Sequence, residues 1–165
     1  MSITQRIAPC LWFGHEAEEA ATFYISIFKN SRVVRVARYT KAGQEIHKQT
    51  PGSVMTVAFE LGGQPFTALN GGPVFKFNEA VSLQVNCDTQ EEVDYYWSKL
   101  SDGGDPKAQQ CGWLKDKYGV SWQIVPTVLP KLLTDGQPAK AERVMGVLLR
   151  MKKLDIRELE RAAAA

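Results

Sequence analysis

The feature that most constrains this chain is an internal repeat. Laid over itself, the stretch from Leu11 to Phe28 matches Leu83 to Leu100 without a gap, at an offset of 72 residues. Leu11/Leu83, Glu19/Glu91, Tyr24/Tyr96 and Ser26/Ser98 are identical, and Phe13/Val85, Glu16/Asp88, Phe23/Tyr95 and Phe28/Leu100 keep their character. A repeat forces two stretches to build the same unit, which removes more alternatives than any local propensity. The ends of the copies also superpose, Gly63 to Leu69 on Gly119 to Val125, at an offset of 56, so the second copy is 16 residues shorter. The difference falls on the polar segment Thr40 to Ser53, read as a long loop or flap, unless part of a strand is missing instead.

Each copy begins as a strand and continues as a helix. Leu11 and Phe13 alternate with Trp12, and Leu83 and Val85 with Gln84, which is the two-residue period of a strand. The period then becomes helical through Ala20, Phe23, Tyr24, Ile27 and Phe28, with Glu16, Glu18 and Glu19 at the positive end of the helix dipole. The second helix presents Val93, Tyr96, Trp97 and Leu100. Its N-cap is Asp88 or Thr89 with Glu91 or Glu92 in capping-box range, and Ser101-Asp102-Gly103-Gly104 stops it. Further strands are expected at Arg32 to Tyr39, Val54 to Leu61 and Gln64 to Leu69, the last two joined by Gly62-Gly63 as a hairpin. In the second copy they are expected at Gln109 to Lys115 and Val120 to Val125.

The fold class is therefore α+β: two βαβββ modules, about 5–72 and 79–126, forming one domain over 1–126. Residues 127–165 have no counterpart in the repeat and form a helical C-terminal extension. Val128 to Leu133 makes a short helical turn, Pro138 starts a helix with Val144, Val147, Leu148 and Met151 on one face, and Asp155 with Glu158 caps a last segment. Ala162 to Ala165 are expected to fray.

Charge and cysteine content exclude several classes. The formal net charge is +2, from 20 basic and 18 acidic residues, and the basic residues form no stripe, so no nucleic-acid partner is implied. No apolar run approaches the ~18 residues of a membrane span, and Met1 to Ile7 lack the blocks of a signal peptide, so no membrane partner and a cytoplasmic protein are expected. Cys10, Cys87 and Cys111 are odd in number and far apart, which suggests reduced thiols rather than disulfides or a thiolate metal site.

Paired modules of this pattern, with Phe23-Tyr24, Leu69-Asn70-Gly71-Gly72-Pro73 and Phe75, Gln110-Cys111-Gly112-Trp113-Leu114-Lys115-Asp116 and Ser121-Trp122-Gln123-Ile124-Val125-Pro126, resemble the PhnB-like branch of the vicinal oxygen chelate superfamily, which also holds glyoxalase I, extradiol dioxygenases and the fosfomycin and bleomycin resistance proteins. Members of this branch often carry the name 3-demethylubiquinone-9 3-methyltransferase. The resemblance covers about Gln5 to Pro126 and implies a glyoxalase-like curved sheet and a homodimer. It also implies that metal-ligating positions fall on Pro9, Thr67, Val81 and Gln123, with Cys10 and Ser82 if the register slips. Proline and valine carry no donor atom, and threonine with an uncharged amide cannot hold a divalent ion against water. No metal and no cofactor are expected.

A metal-free member keeps a cavity between its sheets, with Leu11, Phe13, Phe66, Leu83, Trp113 and Gln123 as inward positions. Phe13, Phe66, Asn70 and Trp113 are the candidate ligand contacts, although aromatic residues at such positions equally describe a core. Cys111 and Gln123 are the candidate catalytic residues. Cys111, read as sharing a strand face with Trp113, is either a nucleophile or proton carrier, if a base lowers its pKa, or a buried inert thiol, and the second is preferred. The histidines, His15 and His47, are not placed beside it. Gln123 offers a donor and an acceptor to a ligand. Asn70 with its glycines is either a linker turn or an orienting group for a substrate carbonyl.

Methyl transfer would need a glycine-rich turn opening a helix after a strand, and Gly62-Gly63, Gly71-Gly72 and Gly103-Gly104 are isolated pairs. Metal-dependent lyase or dioxygenase chemistry lacks its ligands, and sequestration of a cationic drug lacks an acidic groove. The expectation is a metal-independent protein that binds a hydrophobic or aromatic small molecule or acts on it by acid-base chemistry. Whether it is an enzyme is open at this point.

Overall fold

The structure, a computed structural model, describes residues 5–165. It divides into two units, one ending at Lys76 and the other running from Phe77 to Ala165.

The first unit is β1 (Cys10–Phe13), α1 (Ala17–Ile27), β2 (Arg32–Arg38), a short α2 (Gln44–His47), β3 (Val54–Leu61) and β4 (Gln64–Asn70). The strand order is β1-β4-β3-β2, with β1 parallel to β4 and the other pairs antiparallel. The first copy is thus βαβββ as expected. The Gly62-Gly63 hairpin forms, and α2 occupies the flap, whose base is closed by Gly52 N–H to Tyr39 O and Tyr39 N–H to Ser53 O. Helix α1 lies on β3 and β4. Its buried face is Ala17, Ala20, Ala21, Tyr24 and Ile27, three alanines that let the helix approach closely. Under it, Tyr24 stacks toward Phe59 at 6.4 Å and Phe59 toward Phe66 at 5.4 Å.

The second unit is β5 (Leu83–Cys87), α3 (Gln90–Ser101), a 3₁₀ turn (Pro106–Ala108), β6 (Trp113–Lys115), β7 (Ser121–Pro126), then α4 (Val128–Thr134), α5 (Pro138–Leu148) and α6 (Ile156–Ala164). Its sheet has the order β5-β7-β6. The expected βαβββ is here βαββ, because the strand corresponding to β2 is absent among the described residues. The return from α3 instead passes close to β6, where a Cβ on Gly104 would lie 2.0 Å from the Lys115 carbonyl oxygen. The α3 cap resolves to Thr89 with Glu92, whose N–H bonds Thr89 Oγ1 at 3.3 Å while its carboxylate accepts from Asp88 N–H at 2.7 Å.

The two parallel ladders also differ in register. Leu11 faces Ala68, and the repeat offsets would map this pair onto Leu83 and Ile124, yet Val85 faces Ile124. The slip is even, so every side chain keeps its face.

The extension packs into the second unit. Leu129, Val144, Leu148, Met151, Leu154 and Leu159 form one buried cluster, and Asp155 caps α6 through Glu158 N–H at 2.9 Å. The expected fraying of Ala162 to Ala165 is corrected: α6 runs to Ala164, Ala162 and Ala163 pack on the cluster, and Arg143 donates to their carbonyls at 3.0 and 3.3 Å. Among the described residues no helix is long and apolar enough to cross a membrane.

Candidate functional site

Register decides which side chains can share a site. In the first unit Phe59 pairs with Phe66 and Val57 with Ala68, while Phe13 pairs with Asn70, and these residues lie on the face covered by α1. Phe13 and Phe66 are 3% and 8% exposed and belong to the core. Asn70 is buried with them. Its Oδ1 accepts from Ala17 N–H at 2.8 Å, capping α1 in place of a local side chain, and its Nδ2 donates to Val54 O at 3.1 Å. Phe13 and Phe66, expected as inward positions together with Trp113 and Gln123, and Asn70, read as either a linker turn or an orienting group, lie on the helix-covered side of their own sheet. The face turned away from α1 carries Cys10, Trp12, Thr56, Ala58, Thr67 and Leu69.

The Asn70-Gly71-Gly72-Pro73 motif gains a structural role there. Trp12 Nε1 donates to Gly72 O at 2.9 Å, and the Phe75 ring meets its indole edge-on at 4.9 Å. A Cβ on Gly71 would sit 2.0 Å from the indole, so only glycine admits this approach.

In the second unit Leu114 and Leu83 face Trp122, and Val85 faces Ile124, on the buried side under α3. Leu83 is therefore not an inward position alongside Gln123. The opposite face carries Trp113 across from Gln123 and Lys115 across from Ser121. The turn that brings β6 to β7 is built on Asp116, which is 2% exposed. Its Oδ1 accepts from Tyr118 N–H at 2.9 Å and Val120 N–H at 3.0 Å, and its Oδ2 from Trp122 Nε1 at 2.8 Å.

On that opposite face lies a hollow of ≈ 360 Å³ lined by Glu79, Ala108, Gln110, Cys111, Trp113, Leu114, Lys115 and Ser121. It brings two of the expected site residues together, Cys111 and Trp113, by a different geometry from the one anticipated. Cys111 is not on a strand, because it and Gly112 both have left-handed backbones, φ 51° and 83°, so that β6 begins only at Trp113. This turn is clamped to the extension by Cys111 N–H to Met151 O at 2.8 Å and Gly112 N–H to Lys152 O at 2.7 Å. Gln110 Nε2 donates to Leu149 O at 2.6 Å and reaches Cys111 Sγ at 3.5 Å. Gln123 shares the face, and its Nε2 donates to Ser82 Oγ at 2.8 Å.

Three lining residues escaped the sequence reading. Lys115 forms an ion pair with Glu79, and the hydrogen bond from its ammonium holds the Glu79 carboxyl below the usual carboxylate range. Ser121 is 2% exposed, and its Oγ has no hydrogen-bond partner. The alternation of β6 and β7 could have put Lys115 and Ser121 beside Trp113; Glu79, in an irregular segment, gave no signal.

The remaining titratable candidates are not among the residues lining this hollow. His15 lines a smaller polar pocket of ≈ 270 Å³ in the first unit with Glu18, Gln49, Thr50, Ser53, Val54 and Asn70. His47 stays in the flap, its ring 4.6 Å from that of Tyr39 and its Nδ1 accepting from Gln49 N–H at 3.0 Å. Cys87 is fully buried, and desolvation, then Glu92 and Asp88, push its thiol up to about 12. A raised folded-state value keeps its contribution intact below the unfolded thiol's 9.0 and loses it as pH climbs toward 12. Alkylation with iodoacetamide at pH 8, read by mass spectrometry, is expected to modify exposed Cys10 and leave Cys87 untouched until denaturant is added; Cys87 labelling as fast as Cys10 would contradict this burial.

The donor set can be tested against the divalent ion of the superfamily. Pro9 offers only a carbonyl, which accepts from Thr67 N–H at 2.9 Å, and Gln123, whose Nε2 donates to Ser82 Oγ, offers only a neutral amide oxygen. Among the described residues no three His, Cys, Asp or Glu side chains come together as a metal site would need. These residues do not fit the ion.

Comparison with known proteins agrees with the architecture. Residues 5–125 match the family model of 3-demethylubiquinone-9 3-methyltransferase. A PhnB protein from Bacillus cereus bearing that name is 38% identical, with a TM-score of 0.63 over 74% of this chain and 100% of its own. Protein PA1353 from Pseudomonas aeruginosa is 17% identical with a TM-score of 0.55, over 74% of this chain and 98% of its own. The fosfomycin resistance protein FosX from Listeria monocytogenes is 13% identical with a TM-score of 0.52, over 79% of this chain and 97% of its own; both likenesses speak for the fold alone. No curated protein matches the chain in sequence. With a family model spanning both modules and a relative of this identity covered over its whole length, the chain belongs to the 3-demethylubiquinone-9 3-methyltransferase family, in the PhnB-like branch of the vicinal oxygen chelate superfamily.

Proposed function

We propose that this protein binds a small hydrophobic or aromatic molecule, without a metal ion, in the hollow on the second sheet. The observation that carries the reading is the hollow itself, an apolar wall of Trp113, Ala108 and Cys111 interrupted by a few polar groups. That composition and size suit a small ligand. Binding is favoured over acid-base catalysis by Cys111 and Gln123, because the group at the thiol is the Gln110 amide, which takes no proton at neutral pH, and the carboxylate in the hollow is held by Lys115. Homodimer formation belongs to the same proposal through the family resemblance.

Methyl transfer, which the family name suggests, needs a methyl donor such as S-adenosylmethionine. The two turns where a first strand meets its helix do not fit one. Glu16 folds its carboxylate onto His15 N–H at 2.8 Å, and a Cβ on Gly14 would already stand 3.3 Å from that carboxylate. The second turn, Asp88-Thr89, has no glycine and is closed by Glu92. No step is assigned through that cofactor.

The test is a titration of the full chain with 2-naphthamide, followed by amide shifts in a ¹H–¹⁵N spectrum. Shifts are expected at Cys111, Trp113, Lys115 and Ser121, Trp113→Ala should weaken binding about tenfold, and EDTA should change nothing. Cys111→Ser should retain the ligand. Sedimentation of the same sample should give about twice the 18.4 kDa chain mass. Shifts confined elsewhere, or affinity abolished by EDTA, refute the reading.

A further inference from the structure

Two groups in the hollow are left with unmet or exchangeable partners, and they stand opposite each other. Lys115 and Ser121 are a register pair on β6 and β7, so their side chains leave one face with Cβ atoms ~5 Å apart. The Ser121 hydroxyl is buried with no partner, an arrangement that costs free energy unless something supplies a hydrogen bond. In the ion pair, the Lys115 side chain is 24% exposed and that of Glu79 61%. The cation is the sheltered member and the anion the accessible one. Glu79 also sits outside any helix or strand, so it is the anion that can leave. A neutral guest cannot take its place, since it would strand a sheltered ammonium without a counter-charge. A guest with its own anion can.

We propose that the hollow takes a small aromatic carboxylate: its ring lies against Trp113, and its carboxylate displaces Glu79 from Lys115 while accepting a hydrogen bond from Ser121 Oγ. Two acceptor oxygens on one carbon match two donors on adjacent strands. Glu79 then acts as an internal competitor, a tethered carboxylate that closes the site until a ligand carboxylate replaces it. This assignment rests on the reading of the hollow as the ligand site and adds the charge of the ligand.

The experiment compares 2-naphthoate with its neutral isostere 2-naphthamide on the full chain by calorimetry and amide shifts. Glu79→Gln should tighten 2-naphthoate roughly 3- to 10-fold by removing the competitor, and Lys115→Met should weaken it at least about tenfold. Ser121→Ala should weaken it roughly threefold or more. That variant should fold at least as stably as the parent, because it deletes a hydroxyl that bonds nothing. In each variant the affinity for 2-naphthoate should change at least about threefold more than that for 2-naphthamide, which carries no charge to exchange for Glu79. If 2-naphthamide binds at Trp113 and Glu79→Gln leaves 2-naphthoate unchanged or weaker, the carboxylate assignment is overturned while the hollow stands as a neutral site. If neither compound shifts Trp113 or Cys111, both readings fall.

Discussion

Replacing Asp116 by alanine is expected to lower the unfolding free energy by about 3–5 kcal/mol. The carboxylate is buried at the β6–β7 turn and satisfies three donors at once, the amides of Tyr118 and Val120 and the Trp122 indole. Alanine leaves all three facing a void, where each would lose most of a charge-assisted bond. The substitution Asp116→Asn should cost roughly half as much, because the new carbonyl can still serve the two amides while the new NH₂ group opposes the Trp122 N–H. Urea unfolding followed by tryptophan fluorescence measures both variants. A loss below about 1 kcal/mol for Asp116→Ala would show that the turn is held by its backbone instead. Asp116, the last residue of the Gln110 to Asp116 motif, thus reads as the brace that sets Lys115 and Ser121 across from each other.

The second large effect is expected at Gly71. Its alanine variant puts a methyl group 2.0 Å from an indole carbon of Trp12, and the ring cannot step aside without breaking its bond to Gly72 O and its contact with Phe75. Overpacking of this kind costs about 2–4 kcal/mol. Trp12→Leu should relieve the clash, so that adding Gly71→Ala to that background costs about 1 kcal/mol or less. Equal penalties in both backgrounds would mean the strain lies in the Gly71 backbone and not in the packing.

Much of the local structure was legible. The repeat gave the order of elements, because two copies of strand-then-helix must be satisfied together, and β3 runs from Val54 to Leu61 as anticipated. Caps read well too, since Thr89 with Glu92 and Asp155 with Glu158 act within a single turn of chain. The lost strand of the second copy was less visible. A shorter copy is compatible with a shortened loop, and only the sheet itself, with the order β5-β7-β6, shows that a strand is what went missing among the described residues.

The candidate site was the least legible part. Alternation along β1 and β4 separates Phe13 from Trp12 and Phe66 from Thr67, but apolar residues occupy both faces, so the period gives two faces without saying which one a helix will cover. That choice moved Phe13, Phe66 and Asn70 into the core beneath α1. Cys111 left its strand because the Cys111-Gly112 turn is fixed by carbonyls about 40 residues away at Met151 and Lys152, a pairing that no local pattern encodes.

What the sequence determined by itself was therefore the set of units, because periodicity, capping and duplication are properties of neighbours along the chain. What tertiary structure alone decided was which residues meet. The hollow of Trp113, Cys111, Lys115, Ser121 and Glu79 exists because a distant extension clamps one turn and a buried carboxylate braces another, and contacts closed over long loops leave little trace in the order of residues.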